Sequence, residues 1–348
     1  MSSSSARVRA ADAPSFVVLN GASRLLSGLA SKAVTIVTYA LVFAADFVLA
    51  LLNLVLPEKK EGEVGPGRGG LWPEYRAPDF GQEKPDSRCS CPALNALANH
   101  GILPRSGRRI PFQQLTRVIR ETYNFGPTFC FFVPWYAAGL LGRSYWADSF
   151  DLADLDVHNG IEHDASLTRD DTAHARDQGV PAPHLVEFLL AHASGPPHDG
   201  APTLTAADLS EVSGKRRVNA RAKNGQFSLS AFHKMFGSSN SATLLTIFGG
   251  SLPDLRALLL EERLPRGWAP RCRRALGLTF AEFNATVLRI EAGVHEEHDV
   301  MMWRVGRPRA LAEKMEEWME GKLDSAMGMG AGEALRSDSG VFVERKDE

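Results

Sequence analysis

Hydrophobic residues along most of the chain recur at helical rather than strand spacing. After Pro111, the side chains of Phe112, Leu115, Ile119 and Tyr123 fall on one side of a helix. Further helices are predicted over residues 184–193, from Thr205 with its capping partner Asp208, from Pro253 in LPDLRALLLEERL, from the Thr279 and Glu282 capping box, and over the charged residues 306–322. Few segments alternate as strands do, and we find no internal repeat. The pattern predicts a mostly α fold.

One apolar run differs from this pattern because it is long enough to cross a bilayer. Residues 34–56 read VTIVTYALVFAADFVLALLNLVL, interrupted only by Asp46 and Asn53, and about 20 apolar residues span the hydrocarbon core. Basic residues precede the run, at Arg7, Arg9, Arg24 and Lys32. By the positive-inside rule, it predicts a single-pass anchor with the remainder of the chain on the lumenal or extracellular side. A cleaved signal peptide and a membrane-surface or buried helix remain alternatives.

Changes in composition divide the chain into five parts. We expect a cytosolic segment (1–33), a transmembrane anchor (34–56), a linker and domain entry rich in Gly, Pro and charge (57–88), one helical domain (89–322) and a disordered tail (323–348). The apolar run 125–142 contains two prolines and three glycines and is predicted to be core. A formal net charge of −2 gives no global attraction to nucleic acid, so no nucleic-acid partner is expected.

The first candidate for chemistry is a cysteine at the start of a predicted helix. In CSCPALNALANHG, residues 89–101, Cys91 occupies the N-cap position and Pro92 the first helical position. The Cys91 sulfur then faces the backbone N–H groups of Ala93 and Leu94. The positive end of a helix favours a thiolate, so this cysteine is expected to have a lowered pKa. It suits either a nucleophile or a metal ligand.

The second candidate is the polar segment GIEHDASLTRDD, residues 160–171. Glu162, a hydroxyl from Ser166 and a backbone carbonyl are ligands that suit a hard cation such as Mg²⁺. An imidazole at His163, oriented by a carboxylate, suits proton transfer near neutral pH. The alternative is a polar loop in which Thr168 caps the next helix.

Together the two segments resemble those of the fungal chloroperoxidase and unspecific peroxygenase family. Its members carry Pro-Cys-Pro followed by a Leu-Asn-x-Leu-Ala-Asn-His-Gly run, and about 70 residues later Glu-His-Asp or Glu-Gly-Asp and a Ser. Here Glu162 follows Cys91 by 71 residues and begins Glu-His-Asp. The resemblance covers roughly residues 75–300. Among its members, the chain looks most like peroxidases of fungal polyketide pathways, such as sterigmatocystin biosynthesis.

The resemblance implies a single chloroperoxidase-like helical domain that holds haem b. Cys91 would be the axial thiolate, supported by the N–H groups of Ala93 and Leu94. Glu162, Ser166 and the carbonyl of His163, with a haem propionate, would hold Mg²⁺ or Mn²⁺. His163, held by Asp164, would lie over the distal face. The implied activity is oxidation of a small organic substrate by hydrogen peroxide, in secondary-metabolite biosynthesis.

Two departures from the family pattern qualify this expectation. Ser90 stands where the family has proline, and we expect that it adds a hydrogen bond. The family also places a glutamate on a later helix, often in a Gly-Glu pair, and our alignment of residues 232–250 puts Asn240 at that position. Because asparagine cannot shuttle a proton by itself, either the alignment is shifted, or His163 or His233 takes the role, or peroxide activation is impaired. Two alternatives remain: an anchored haem-binding pathway protein with little turnover, and a haem-free Cys-His-Asp hydrolase or transferase.

Overall fold

The computed structural model describes residues 13–60, 62–65, 71–198 and 200–296, with side chains from residue 33 onward. The chain divides into two compact units. Residues 42–307 form the larger one, here called the main unit, and the part of the first helix before Val42 belongs to the other. Our predictions for residues 306–322 and for the tail from residue 323 lie outside the described residues.

The described residues are mostly helical, as the hydrophobic pattern predicted. The helices are α1 (Ala13–Val55), α2 (Pro92–Asn99), α3 (Phe112–Tyr123), α4 (Pro127–Leu140), α5 (Pro183–Leu190), α6 (Ala206–Lys223), α7 (Ala231–Thr246), α8 (Leu252–Glu261) and α9 (Phe280–Gly293). A short 3₁₀ helix covers Leu152–Leu155. In the main unit α6 and α7 pack against α9, and α3 packs against α4. Helices α2 and α5 both pack against α8.

Local capping chemistry fixes where several helices begin. Thr205 and Asp208 form a capping box at the start of α6, and Thr279 and Glu282 form another at the start of α9. The start of α3 follows Pro111, and its predicted inner face is buried. These starts confirm the positions expected from the sequence.

Strands are few and short within the described residues. Strand β1 (Ile110–Pro111) pairs antiparallel with β2 (Ser149–Phe150), and β3 (Gly195–His198) pairs antiparallel with β4 (Ala201–Thr203). The first pair brings Phe150 onto Phe112, whose rings stack with centroids 4.7 Å apart. The pairs therefore fasten loops to the helical core.

Asp46 and Asn53 of the N-terminal apolar run both point into the rest of the main unit. The Asp46 carboxylate, 2% exposed, accepts hydrogen bonds from Thr128 Oγ1 (2.5 Å) and from the backbone N–H groups of Phe280 (2.9 Å) and Ala281 (3.0 Å). It thus binds the positive N-terminus of α9. Asn53, 3% exposed, donates to the Gly277 carbonyl at 2.9 Å and belongs to the same contact.

By length and composition, α1 is able to cross a membrane. Residues Ala33–Val55 have a mean hydropathy of 2.2. The main unit nevertheless begins at Val42, well before the predicted domain start at residue 89. The polar positions that interrupt the apolar run thus attach its second half to the main unit.

Helix α4 is less buried than a core segment. Thr128 and Cys130 are buried, whereas Val133 and Leu140 are exposed. The helix contains no Asp, Glu, Lys, Arg or His. The run predicted to be core therefore has one buried and one open apolar side.

Candidate active site

Cys91 lies at the start of α2, as the sequence predicted. Its backbone is extended (φ −89°, ψ 105°), and Pro92 follows at the first helical position. The phenol of Tyr123, reaching across from α3, donates to the Ala93 carbonyl at 2.8 Å. At the other end, Gly101 adopts a left-handed conformation (φ +71°), which confirms the expected end of this short helix. The cysteine is thus held at a well-defined helix terminus.

The pKa of the Cys91 thiol is raised, which corrects our expectation of a lowered pKa. Burial is the largest cause and raises it. The backbone N–H groups of Leu94 and Ala93 and the charge of Arg169 lower it, as the helix terminus should, but burial prevails. Without a bound cation the sulfur is therefore a thiol, and a metal ion that replaces the proton would restore the thiolate.

The Asn95 side chain holds the backbone of the segment that precedes Cys91. Its side-chain oxygen accepts the N–H of Cys89 at 3.0 Å, and its amide nitrogen donates to the Cys89 carbonyl at 2.7 Å. The same nitrogen donates to Glu262 Oε1 at 2.7 Å. One asparagine of α2 therefore ties the cysteine segment to the end of α8.

A buried ion pair lies behind Asn95. Arg169 donates to Glu262 Oε1 at 2.6 Å, and both side chains are almost fully buried. Glu262 caps α8 with a left-handed backbone (φ 49°). Burial raises the pKa of Glu262 to about 7, although Arg169 and Asn95 favour its charged form. The charge of Arg169 lowers the pKa of Cys91, and the charge of Glu262 raises it.

Ser90 makes the hydrogen bond expected from its replacement of proline. Its backbone N–H, which proline lacks, donates to Asp156 Oδ1 at 2.8 Å. Burial raises the pKa of Asp156 from its ordinary 3.8 to about 6, against the hydrogen bonds from Ser90 that lower it. A carboxylate on the loop after the 3₁₀ helix thus fastens the residue before Cys91.

Glu162 is buried, and only one of its two carboxylate oxygens has hydrogen-bond partners among the described residues. Its Oε2 lies 2.6 Å from His158 Nδ1 and accepts the Thr172 hydroxyl at 2.8 Å. Its buried Oε1 has no hydrogen-bond partner in the described part of the chain. Ser166 lies on the same loop, but its hydroxyl accepts the Thr168 N–H at 3.3 Å. Across the described residues, no cluster of three His, Cys, Asp or Glu is arranged for a metal. The predicted cation site at Glu162, His163 and Ser166 stays a prediction.

The His163 imidazole is buried and held in one tautomer. Its Nδ1 lies 2.8 Å from the Asp164 carbonyl oxygen, which can only accept, so Nδ1 carries the proton and Nε2 is unprotonated in the neutral ring. Burial lowers the pKa of His163 to about 4, against the Asp164 carbonyl that raises it. The ring is therefore neutral at pH 7, with an acceptor nitrogen available.

The Asp164 carboxylate is not the group that orients His163, which corrects the predicted pairing. Its Oδ2 accepts the Ser228 N–H at 2.8 Å, while its backbone carbonyl holds the imidazole. The Asp164 side chain is fully buried, and burial raises its pKa. The residue positions His163 through the backbone, and its side chain fastens the loop before α7.

Helix α7 covers His163. The His163 ring lies 6.0 Å from the rings of His233 and Phe236. A Cβ at Gly237 would lie only 3.3 Å from His163 Cε1, so glycine permits this close approach. Asn240 follows one turn later with its side chain exposed. The sequence of α7 contains no Asp or Glu.

Several residues that hold the site had no signal in either motif. Glu262 and Asp156 lie 171 and 65 residues after Cys91 in the chain, and nothing in their surrounding sequence marks them. Asp171, at the end of the second motif, accepts Arg216 at 2.5 Å and the Ala165 N–H at 2.9 Å, and the motif gave no indication of either contact. Such contacts depend on the tertiary fold.

Comparisons with known proteins match this part of the chain. The family described as Peroxidase, family 2 matches residues 73–273, which include Cys91, the Glu162 loop and α7. An aromatic peroxygenase of Coprinellus radians is 34% identical over 103 residues, or 25% of this chain and 39% of the relative. A chloroperoxidase of Leptoxyphium fumago is 34% identical over 124 residues, or 33% of this chain and 32% of the relative.

A third relative, an aromatic peroxygenase of Cyclocybe aegerita, is 33% identical over 103 residues, or 25% of this chain and 27% of the relative. The chain therefore matches only 27–39% of the length of these curated relatives. None of the three matches bears on the sterigmatocystin-type subfamily named above.

Proposed function

The chain belongs to the family Peroxidase, family 2, and from this membership we propose that it is a haem-thiolate peroxidase or peroxygenase. Hydrogen peroxide is its proposed oxidant and a small organic molecule its proposed substrate. The observation that carries the proposal is Cys91 at the N-terminus of α2, inside the matched segment and preceded by two residues that hydrogen bonds hold in place.

The residues around Cys91 fit the haem that the family implies. A ligand sulfur needs a fixed position and donors that stabilise its negative charge, and the start of α2 offers the N–H groups of Ala93 and Leu94. When bound through Cys91, haem supplies an iron centre whose thiolate ligand favours cleavage of the peroxide O–O bond. The haem type proposed is b.

His163 is the proposed acid–base for peroxide activation. Heterolytic cleavage of the peroxide O–O bond releases one oxygen as water. It requires that a proton leave the oxygen nearer the iron and reach the other oxygen. His163 Nε2 is unprotonated in the neutral ring, so it accepts that proton, and the Asp164 carbonyl keeps Nδ1–H in place meanwhile. The resulting imidazolium is a strong acid because its pKa is low, so it readily returns the proton.

Glu162 is the proposed holder of a Mg²⁺ or Mn²⁺ ion, together with Ser166 and the His163 carbonyl. The buried Oε1 of Glu162, which lacks a protein partner among the described residues, supports this proposal. A carboxylate oxygen, a hydroxyl and a carbonyl are ligands that hard cations prefer. The cation would balance the carboxylate and stiffen the loop beside His163.

We also propose that the apolar helix α1 anchors the protein in a membrane, with the main unit on the lumenal or extracellular side. The mean hydropathy of Ala33–Val55 and the basic residues before this segment support that orientation. A role in polyketide biosynthesis rests on the sequence resemblance alone.

Peroxide-dependent oxidation by the purified, haem-loaded protein tests the proposed activity. Phenols and arenes serve as probes of one-electron oxidation and oxygen insertion. We expect turnover by the parent protein and none by Cys91→Ala. Cys130→Ala is the matched control, since this cysteine is fully buried in α4 and away from the site motifs. Absence of any peroxide-dependent product with the haem-loaded parent would contradict the proposal.

A second candidate function is a haem-binding pathway protein with little peroxidase turnover. The lack of any carboxylate in α7 favours it, because the family places a glutamate on this helix. The haem-free hydrolase is less well supported. The pKa of Cys91 is raised, and His163 Nδ1 bonds a carbonyl where a Cys-His-Asp site needs a carboxylate. Peroxide-dependent turnover by the haem-loaded protein would exclude both alternatives.

A further inference from the structure

Helix α1 and helix α4 touch in the main unit through two side-chain contacts. The rings of Phe43 and Phe132 are 5.7 Å apart, and Thr128 of α4 donates to Asp46 of α1. Phe43 and Phe132 also both contact Phe280, with ring centroids 5.6 Å and 5.4 Å away. The contact is thus built from an aromatic cluster and a buried carboxylate.

The outward sides of both helices, which face away from the buried core, are exposed and apolar. Within residues 42–55 the single ionisable side chain, Asp46, points inward, so the outward side is uncharged. Helix α4 has no charged residue at all, and the exposed Trp146 follows it. The exposed apolar side chains, here called the outer apolar surface, are Phe47, Val48, Leu51, Leu52, Leu54 and Val55 of α1, with Val133 and Leu140 of α4.

The contact points of α1 place this surface at membrane depth. The 23 residues of Ala33–Val55 are about 35 Å long, close to the hydrocarbon thickness of about 30 Å. Asp46 and Asn53, which bind the main unit, are seven residues or about 10 Å apart within that length. If α1 lies in the bilayer, whatever packs on this part of α1 lies at or within the bilayer surface.

We infer that the outward sides of α1 and α4 embed together in lipid and hold the main unit against the membrane. This inference rests on the proposed membrane anchoring. It commits to lipid acyl chains as the occupant, because a protein interface of ordinary composition has a polar rim, whereas the outward side of residues 42–55 has no charge. The Trp146 indole is of the kind enriched at membrane–water interfaces.

Photolabelling from within the bilayer tests the inference. The full chain is reconstituted in phosphatidylcholine vesicles that carry a carbene-generating group at the end of one acyl chain, and labelled peptides are mapped by mass spectrometry. We expect label on the outward residues of α1 and on Val133 or Leu140 of α4. Peptides that contain Val180 and Phe188, exposed apolar residues elsewhere, should stay unlabelled.

A charged variant adds a matched comparison. Leu140→Lys should lose most of the α4 label, because a lysine at membrane depth is costly, while Val180→Lys should leave the α4 label unchanged. Thermal unfolding of each variant shows whether its fold is kept. If Leu140→Lys does not fold, the labelling map of the parent protein still decides the question.

The outcomes separate this inference from the anchoring on which it rests. Label on α1 with none on α4 would overturn the shared surface and leave the anchor intact. Absence of label from both helices would overturn the anchoring as well. Crosslinks between two chains through α4, formed by a bifunctional reagent in vesicles where α4 takes no lipid label, would identify a second copy as the occupant and contradict the inference.

Discussion

At the scale of single residues, the segment around Cys91 shows how one substitution is accommodated. Ser90 replaces a proline of the family pattern, and its freed N–H is used by Asp156 at 2.8 Å. The backbone restraint that proline would give by its ring is supplied here by a hydrogen bond to a half-buried carboxylate. The cost is a carboxyl group whose pKa is raised to about 6.

Asp156→Asn should therefore change the pH dependence of stability. The folded protein binds a proton at Asp156 more readily than the unfolded chain, whose carboxyl has the ordinary pKa of 3.8. This residue thus lowers the parent's free energy of unfolding as pH rises from about 4 to about 6. The stability of Asp156→Asn relative to the parent should rise over that window and stay constant above it.

Urea unfolding at several pH values between 4 and 8 measures this difference. Asp148→Asn is the control, because its exposed carboxylate also accepts a backbone N–H, that of Ser144, at 2.7 Å. A stability difference for Asp156→Asn that does not vary with pH would show that the carboxyl is not the titrating group.

His163 carries the second prediction at this scale. His163→Ala should slow the reaction of the haem-loaded protein with peroxide by about 10²-fold or more, because a general acid–base is lost. The haem absorption spectrum should be unchanged. Stopped-flow mixing with peroxide gives the rate. Reaction of the variant at the parent rate would rule out His163 as the acid–base and direct attention to His233 on α7.

Single-residue roles could be predicted from sequence where they depend on neighbours in the chain. Pro92 after Cys91 marked a helix start, and the structure confirms it. The carboxylate of Asp164 was expected to hold His163, and this was wrong, because which of its oxygens faces the ring depends on how the loop folds back. Glu162 was identified, but its partners His158 and Thr172 were not.

At the scale of elements, a buried contact between α2 and α8, here called the joint, fixes the position of the Cys91 segment. Asn95 of α2 and Arg169 both donate to Glu262 at the end of α8. Removal of Glu262 leaves the buried Arg169 charge without its carboxylate, and the loss of a buried ion-pair partner costs about 3–5 kcal/mol. The joint is thus a structural requirement for the position of Cys91.

Glu262→Ala should lower the free energy of unfolding by about 3–5 kcal/mol. Glu261→Ala is the matched control, since its exposed pairing with Arg263 is of the kind worth about 0–1 kcal/mol. Urea unfolding of both variants provides the comparison. Equal losses in the two variants would show that the buried joint contributes nothing beyond a surface ion pair.

The starts of helices were predicted well, because capping residues and hydrophobic periodicity are local in the chain. The contacts of a helix were predicted less well, because they depend on which distant residues pack against it. The starts of α6 and α9 followed from capping boxes in the sequence. Asp46 and Asn53 interrupt the predicted membrane span, and both attach the part of α1 after Val42 to the rest of the main unit. No pattern along the chain reveals that the partner of Asp46 is a helix terminus 234 residues away.

At the scale of the whole molecule, α1 connects the proposed chemistry to a membrane. The proposed orientation puts the main unit on the lumenal side of the endoplasmic reticulum membrane. Protease added to intact microsomes should leave the main unit undigested, and protease with detergent should degrade it. Digestion without detergent would contradict the orientation, while leaving the attachment of α1 to the main unit untouched.

The absorption spectrum of the reduced, CO-bound protein tests the central claim, that Cys91 is the thiolate ligand of a haem iron. The parent protein should absorb at the position typical of thiolate-ligated haem, and Cys91→Ala should lose this band. Cys89→Ala should keep it, because the Cys89 sulfur is buried against the Asn95 amide, 3.6 Å from its side-chain oxygen. A thiolate-type band that persists in Cys91→Ala, or its absence from the haem-loaded parent, would contradict the account.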